Sequence, residues 1–213
     1  MAHGPFAGMS LTPDTTGSLL PPYLVGSFES ALHPIIHALS RVPPDRVLNV
    51  GCGDGYYAAG FARLWPGSTV LAYDPHAPAR SNTEAWCRAA GVADQVRILD
   101  GATRERLGQD LREGSLVWCD CEGAEADLAD PTLAHGPCRW VVELHPWTRP
   151  DLEEELAARF DSAHDLEWIG EVPPDPRAWE ILERWPAGHR AALLDEGREH
   201  PGRWLVAIPR ETA

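Results

Sequence analysis

Seven short apolar runs punctuate this chain, at about residues 46–50, 69–73, 95–99, 115–119, 139–144, 165–169 and 203–208. Runs of that length, bounded by Gly, Pro and polar residues, read as buried β-strands. Helical signals fill the gaps. Phe28 to Ser40 reads as helix, with Pro34 a kink or a restart and Pro43-Pro44 a stop. A second helix is expected from Asp54 to Leu64, closed by Pro66-Gly67. Ser81 and Glu84 form a capping-box pattern and Gly91 a C-cap, which predicts a helix between them. Asp151 with Glu154 opens another. Strands alternating with helices predict parallel βαβ units and one doubly wound α/β sheet. Such sheets bind ligands at the carboxyl ends of their strands, where Gly51, Asp74, Asp100, Asp120 and Glu143 fall. Five strands delivering polar groups to one edge say more than any single motif.

Two segments stand outside this alternation. Residues 1–26, rich in Gly, Pro, Ser and Thr, read as an arm or covering loop ahead of one domain over 27–213. The segment 173–202 interrupts the last two strands. Asp175-Pro176 is a good helix start there, and a second short helix is expected from Gly188 to Glu196. The segment serves either as extra packing or as a lid over a substrate pocket.

The sharpest local signal is Asn49-Val50-Gly51-Cys52-Gly53-Asp54-Gly55 at the end of the first run, with Asp74 ending the second. Alternate glycines let a backbone turn tightly and approach a ligand. An acid at the next strand end can accept from two ribose hydroxyls. Adenosine-type cofactors need that pairing. The dinucleotide fingerprint G-x-G-x-x-G/A would put its last position on Tyr56, too bulky for close packing of helix on strand, and this argues against NAD. No Lys-Ser/Thr follows, so a triphosphate loop is also excluded.

Charge narrows the partners. In 213 residues, 32 acids against 18 Lys plus Arg give a formal charge of −14. That field repels phosphate backbones and anionic membrane surfaces, so neither nucleic acid nor membrane is expected as a partner. No apolar stretch approaches the ~20 residues needed to span a bilayer. Met1 to Ser10 lacks the features of a signal peptide. Five cysteines without a C-x-x-C pair read as reduced thiols of a cytoplasmic protein. Cys119 and Cys121, at a strand end, are expected on opposite faces. A second copy of the chain is a candidate partner in a homodimer.

The residues Tyr23-Leu24-Val25-Gly26-Ser27-Phe28-Glu29, the glycine turn through Tyr56-Tyr57, Tyr73-Asp74, Asp120-Cys121-Glu122-Gly123-Ala124-Glu125 and Val142-Glu143-Leu144-His145 together resemble the FkbM-type branch of class I S-adenosylmethionine-dependent methyltransferases. The resemblance covers residues 23–145. It implies a seven-stranded, mostly parallel Rossmann-like sheet of order 3-2-1-4-5-7-6 with the seventh strand antiparallel. It implies S-adenosylmethionine as methyl donor and a hydroxyl oxygen of a small metabolite, such as a sugar, as acceptor. A nicotinamide oxidoreductase and a non-catalytic cofactor-binding scaffold are the rival readings.

On this footing Asn49, Gly51, Gly53, Gly55 and Tyr56 are expected at the cofactor's amino-acid end, Asp74 at its ribose, Asp100 with Gly101 at its adenine, and Asp120 beside the sulfonium. Methyl transfer is an in-line displacement, so the protein must align the acceptor, exclude water and take up a hydroxyl proton. Asp120, Glu143 and His145 are the candidate acceptor-side groups, with Glu122 in support. His145 titrates near neutrality and suits a general base. The other option is a divalent cation such as Mg held by Asp120, Glu143 and His145. Glu122 and Glu125 also suit a helix N-terminus for dipole reasons alone. His33 and His37 have metal-ligand spacing, but Pro34 and the lack of a completing carboxylate favour plain helix. Trp147 could line a substrate pocket.

Overall fold

The computed structural model describes residues 1–12 and 19–210. Part of the expected arm, residues 13–18, and the last residues, 211–213, lie outside the described residues. Seven strands form one sheet: β1 (Arg46–Val50), β2 (Thr69–Tyr73), β3 (Val96–Leu99), β4 (Leu116–Cys119), β5 (Arg139–Glu143), β6 (His164–Gly170) and β7 (Arg203–Pro209). Their order is β3-β2-β1-β4-β5-β7-β6. The strands β1 to β5 run parallel, and β7 pairs antiparallel with both β5 and β6. This is the order and orientation the sequence led us to expect.

The helices are α1 (Leu20–Val25), α2 (His33–Leu39), α3 (Tyr56–Leu64), α4 (Ala77–Ala90), α5 (Arg104–Asp110), α6 (Glu125–Leu128), α7 (Leu152–Phe160) and α8 (Ala187–Arg190). Strand alternation divides the core between two layers. Val47, Val70, Ala72 and Trp118 face α2, α3 and α4. Leu48, Leu71, Tyr73 and Trp140 face α5, α6 and α7. Side chains buried on both faces explain why these strands read as unbroken apolar runs. The described part of residues 1–26 belongs to the first layer. Phe6, Met9 and Tyr23 are all buried, so this segment is packed core rather than a loose covering.

Three local expectations change. Pro34 sits in the first turn of α2 after a short 3-10 turn (Ser30–Leu32), so it marks a restart and not a kink. α4 begins at Ala77, ahead of the capping box, because Pro78 in its first turn already fits helix geometry. Ser81 and Glu84 therefore lie inside the helix, where Glu84 pairs with Arg88 one turn on. Cys119 and Cys121 lie on one side with their sulfurs 3.5 Å apart. Positions two apart on an extended chain share a face, which is the physical reason the opposite-face expectation fails. All five cysteines are free thiols. Among the described residues, no helix is long and apolar enough to cross a membrane.

β1 and β4 leave the sheet side by side, and Asp120 donates its N–H to the Val50 carbonyl at 2.9 Å. A Cβ on Gly51 would lie 1.5 Å from the Asp120 carbonyl oxygen, and Gly51 has φ of 80°. Gly53 has φ of 52° but open space around it. Gly51→Ala should therefore cost several times what Gly53→Ala costs, the latter being about 1–2 kcal/mol of left-handed backbone strain. Thermal and urea unfolding of the two variants measures the difference; equal losses would contradict this packing.

Candidate active site

The glycine turn is held by the end of β2. Gly51 and Cys52 donate their N–H groups to the Tyr73 carbonyl at 2.9 and 3.0 Å. Gly53 donates to Asp74 Oδ2 at 3.1 Å, and His76 donates to Asp74 Oδ1 at 2.8 Å. Asp74 is buried, and two of its roughly four lone-pair sites remain for hydroxyl donors. Gly55 caps α3 in the left-handed region, and Asp54 Oδ1 accepts from the Tyr56 N–H at 3.1 Å. The Tyr56 ring is buried and stacks on Tyr23 with centroids 4.7 Å apart.

Beside this turn opens a cleft of about 640 Å³. Gly51, Gly53 and Tyr56 line one side, and Asp120, Glu122, Glu143 and His145 another. Residues 196–200, from the segment between β6 and β7, complete the lining. Seven carboxylates face the cleft against a single arginine, Arg198. Each of its three nitrogens meets a carboxylate. Its Nη1 donates to Glu143 at 2.7 Å, its Nε to Glu196 at 3.0 Å, and its Nη2 to Glu29. Its guanidinium also lies over the Phe28 and Trp204 rings. Tyr57 donates its hydroxyl to the other oxygen of Glu29. Burial, then the nearby Glu143 charge, pushes the Glu29 carboxyl up to about 8 despite Arg198 and Tyr57. Burial raises Glu196 as well.

Glu143 thus turns toward Arg198 and leaves the group in which sequence placed it. Glu122 takes its position beside Asp120 and His145. His145 Nε2 lies 3.3 Å from Glu122 Oε2 and 3.7 Å from Asp120 Oδ1. His145 Nδ1 meets Glu125 Oε1 at 2.8 Å, and both residues are buried. The same Glu125 oxygen accepts the N–H groups of Cys121 and Gly123, at 3.1 and 3.2 Å. Burial opposes the imidazolium, but the Glu125 bond and the surrounding carboxylates outweigh it and raise the His145 pKa. Asp120 is a third exposed as a side chain, yet its Oδ1 is sealed without a hydrogen bond. Desolvation, then the charges of Glu143, Glu29 and Glu122, raises its carboxyl well above the usual range. Among the described residues, Glu29 and Glu122 alone of the non-glycines have positive φ, 46° and 54°. Both line the cleft, in keeping with strain held at functional positions.

The other expected residues lie farther out. Asn49 is buried at the end of β1, with Oδ1 unpartnered and no cleft surface. Asp100 is exposed and paired with Arg106, and Gly101 abuts Pro75; neither lines the cleft. His33 donates its Nε2–H to the Phe28 carbonyl at 3.1 Å, and burial lowers its pKa to about 4. Trp147 does line the cleft, its ring 5.1 Å from His145 and 4.4 Å from His200. Sequence reasoning missed Arg198, Glu29 and Tyr57 as site groups. Arg198, set between Glu196 and Glu199, was the available signal for the first.

No protein-family model matches the chain. Over 67 residues the chain is 43% identical to a protein-L-isoaspartate O-methyltransferase of Methylorubrum extorquens, covering 32% of this chain and 28% of that protein. Over 136 residues it is 29% identical to a malonyl-(acyl-carrier protein) O-methyltransferase of Dechloromonas aromatica, covering 62% and 49%. The match therefore spans less than half of either curated relative. Among solved structures, the O-methyltransferase TomG from Streptomyces achromogenes in complex with SAM aligns with a TM-score of 0.58 at 14% identity, over 93% of this chain and 83% of that one. An O-methyltransferase from Bacillus cereus in complex with SAH aligns with a TM-score of 0.58 at 10% identity, over 95% and 84%. The fold is the class I, Rossmann-like methyltransferase fold in a single domain.

Glu29 gives a pH signature. A carboxyl raised from 4.5 to about 8 in the folded chain favours the folded state fully below pH 4.5. That contribution is lost as pH rises toward and through 8. Thermal midpoints should fall between pH 6 and 8.5, and Glu29→Gln should flatten that slope; an unchanged slope would exclude Glu29 as its source.

Proposed function

We propose that this chain is an S-adenosylmethionine-dependent methyltransferase of the FkbM-type branch, acting on a hydroxyl oxygen of a small molecule in the cytoplasm. One observation carries the reading: the glycine turn ends β1 of a class I sheet and lines a cleft whose far wall is Asp120, Glu122 and His145, while Asp74, at the end of β2, lies behind that lining and accepts from Gly53. The cleft's charge supports the same choice. Even with Glu29 largely protonated, the remaining acidic groups of the cleft and its one arginine, already paired, favour a ligand carrying a sulfonium and an ammonium, and oppose a dinucleotide diphosphate. The full complement of free thiols supports a reducing compartment.

In this reading the turn from Gly51 to Tyr56 seats the amino-acid end of the donor and Asp74 accepts its ribose hydroxyls. Asp100, expected at the adenine, lies farther out at the end of β3, paired with Arg106. The acceptor oxygen attacks the methyl carbon in line, the C–S bond breaks with its electron pair on sulfur, and the hydroxyl proton leaves on the His145 side. Glu143 acts at one remove, anchoring Arg198 and with it residues 196–200, which we read as a lid. Closing such a lid excludes water from the charged donor.

Calorimetry should show binding of S-adenosylmethionine and none of NADH. Asp74→Ala should weaken donor binding by ~10–100-fold, the value of one or two hydrogen bonds to a charged group. Binding as tight as the parent's would remove Asp74 from the donor site. His145→Ala should lower methyl transfer from labelled donor, across a panel of small hydroxylated metabolites, by ~10²–10⁴-fold while donor affinity holds. Undiminished turnover would discard its role.

A further inference from the structure

We propose that Asp120, Glu122 and His145 form a divalent-cation site, and that the ion seated there holds the acceptor oxygen. The ion's role rests on the methyl-transfer reading above, whereas the site itself does not. Three donor atoms, one from each residue, lie within 4.8 Å of one another. The two spacings from His145 Nε2 are 3.3 and 3.7 Å. An ion about 2.2 Å from each donor would see angles of about 100° and about 115°, within reach of octahedral or tetrahedral coordination.

The histidine is built as a ligand. Its side chain is only 4% exposed. Nδ1 is taken by the buried Glu125, so the imidazole's free lone pair falls on Nε2, which makes no hydrogen bond and points between Asp120 and Glu122. A carboxylate behind a histidine is the usual outer partner of a metal-binding imidazole. Asp120 offers a second unclaimed atom, the sealed Oδ1. Buried polar atoms are rarely left unpaired without a ligand to meet them. Glu122 completes the set from an exposed, strained position, leaving room for water or an acceptor on the cleft side.

The donor set selects the ion. Two carboxylate oxygens and one imidazole suit Mn²⁺ or Mg²⁺, and no thiolate belongs to the group. On such an ion an acceptor hydroxyl would have a lowered pKa and give up its proton to solvent more readily. Its oxygen then attacks the methyl carbon, and the C–S electron pair remains on sulfur.

The test needs no acceptor. The purified chain, stripped with EDTA and dialysed, is titrated with Mn²⁺ and followed by electron paramagnetic resonance and calorimetry, without methyl donor. One equivalent should bind and be displaced by excess Mg²⁺. His145→Ala and Glu122→Gln should each weaken binding at least tenfold. Glu125→Gln, which never touches the ion, should weaken it by ~10–100-fold with an unchanged circular dichroism spectrum. Separately, donor affinity measured with and without Mn²⁺ tests the cofactor cleft, so loss of the methyl-transfer reading would leave the cation result standing. The proposal is overturned if the folded parent binds no Mn²⁺ at millimolar concentration. It is equally overturned if binding survives His145→Ala but is lost in Glu29→Gln, which would place the ion at the Arg198 cluster.

Discussion

One buried carboxylate oxygen organises the acceptor side of this molecule. Glu125 is fully buried, and its Oε1 collects the N–H groups of Cys121 and Gly123 together with Nδ1 of His145. An unpaired charge at such depth would be severely costly. Desolvation works against the carboxylate, but the His145 bond and the backbone donors prevail and hold its pKa below the ordinary value. The loop between β4 and α6 must therefore curl around that oxygen. Curling it forces Glu122 into the left-handed region and fixes the imidazole plane. The backbone at Glu122 and the plane of the His145 ring both follow from satisfying one atom.

A second cluster, around Arg198, ties distant parts of the chain together. Glu29 precedes α2, Glu143 ends β5, and Glu196 lies in the segment before β7. A guanidinium can serve several carboxylates at once because its donors fan out in a plane. Here it keeps a strongly acidic wall from repelling itself, although burial and the Glu143 charge still hold Glu29 largely protonated at neutral pH.

Much of the fold was legible because parallel strands buried on both faces leave an unmistakable record, and because Gly51 and Asp74 mark the ends of neighbouring strands. The glycine turn was legible for the same reason. Local punctuation was less secure: the Ser81 capping pattern lost to Pro78, since a proline in the first turn needs no partner to start a helix. At the site, alternation correctly brought Glu143 and His145 to one cleft but said nothing of their partners. Glu143 is claimed by Arg198, 55 residues later, and Glu122 gains its place through a backbone conformation that sequence does not announce. Contacts between segments far apart in the chain, and strained dihedrals, are where one-dimensional reasoning ends.

The pairing of β6 with β7 has a consequence for how this scaffold can diversify. Every parallel crossover is committed to a helix that seals one face of the sheet, so lengthening it would disturb the core. The connection from β6 to β7 joins antiparallel neighbours at the sheet's border and carries no such duty. Its contents, Arg198 excepted because buried Glu29 and Glu143 need it as a partner, amount to an exchangeable cassette: a graft there could reshape the chamber for a new guest while the nucleotide-facing half of the machine stays as it is.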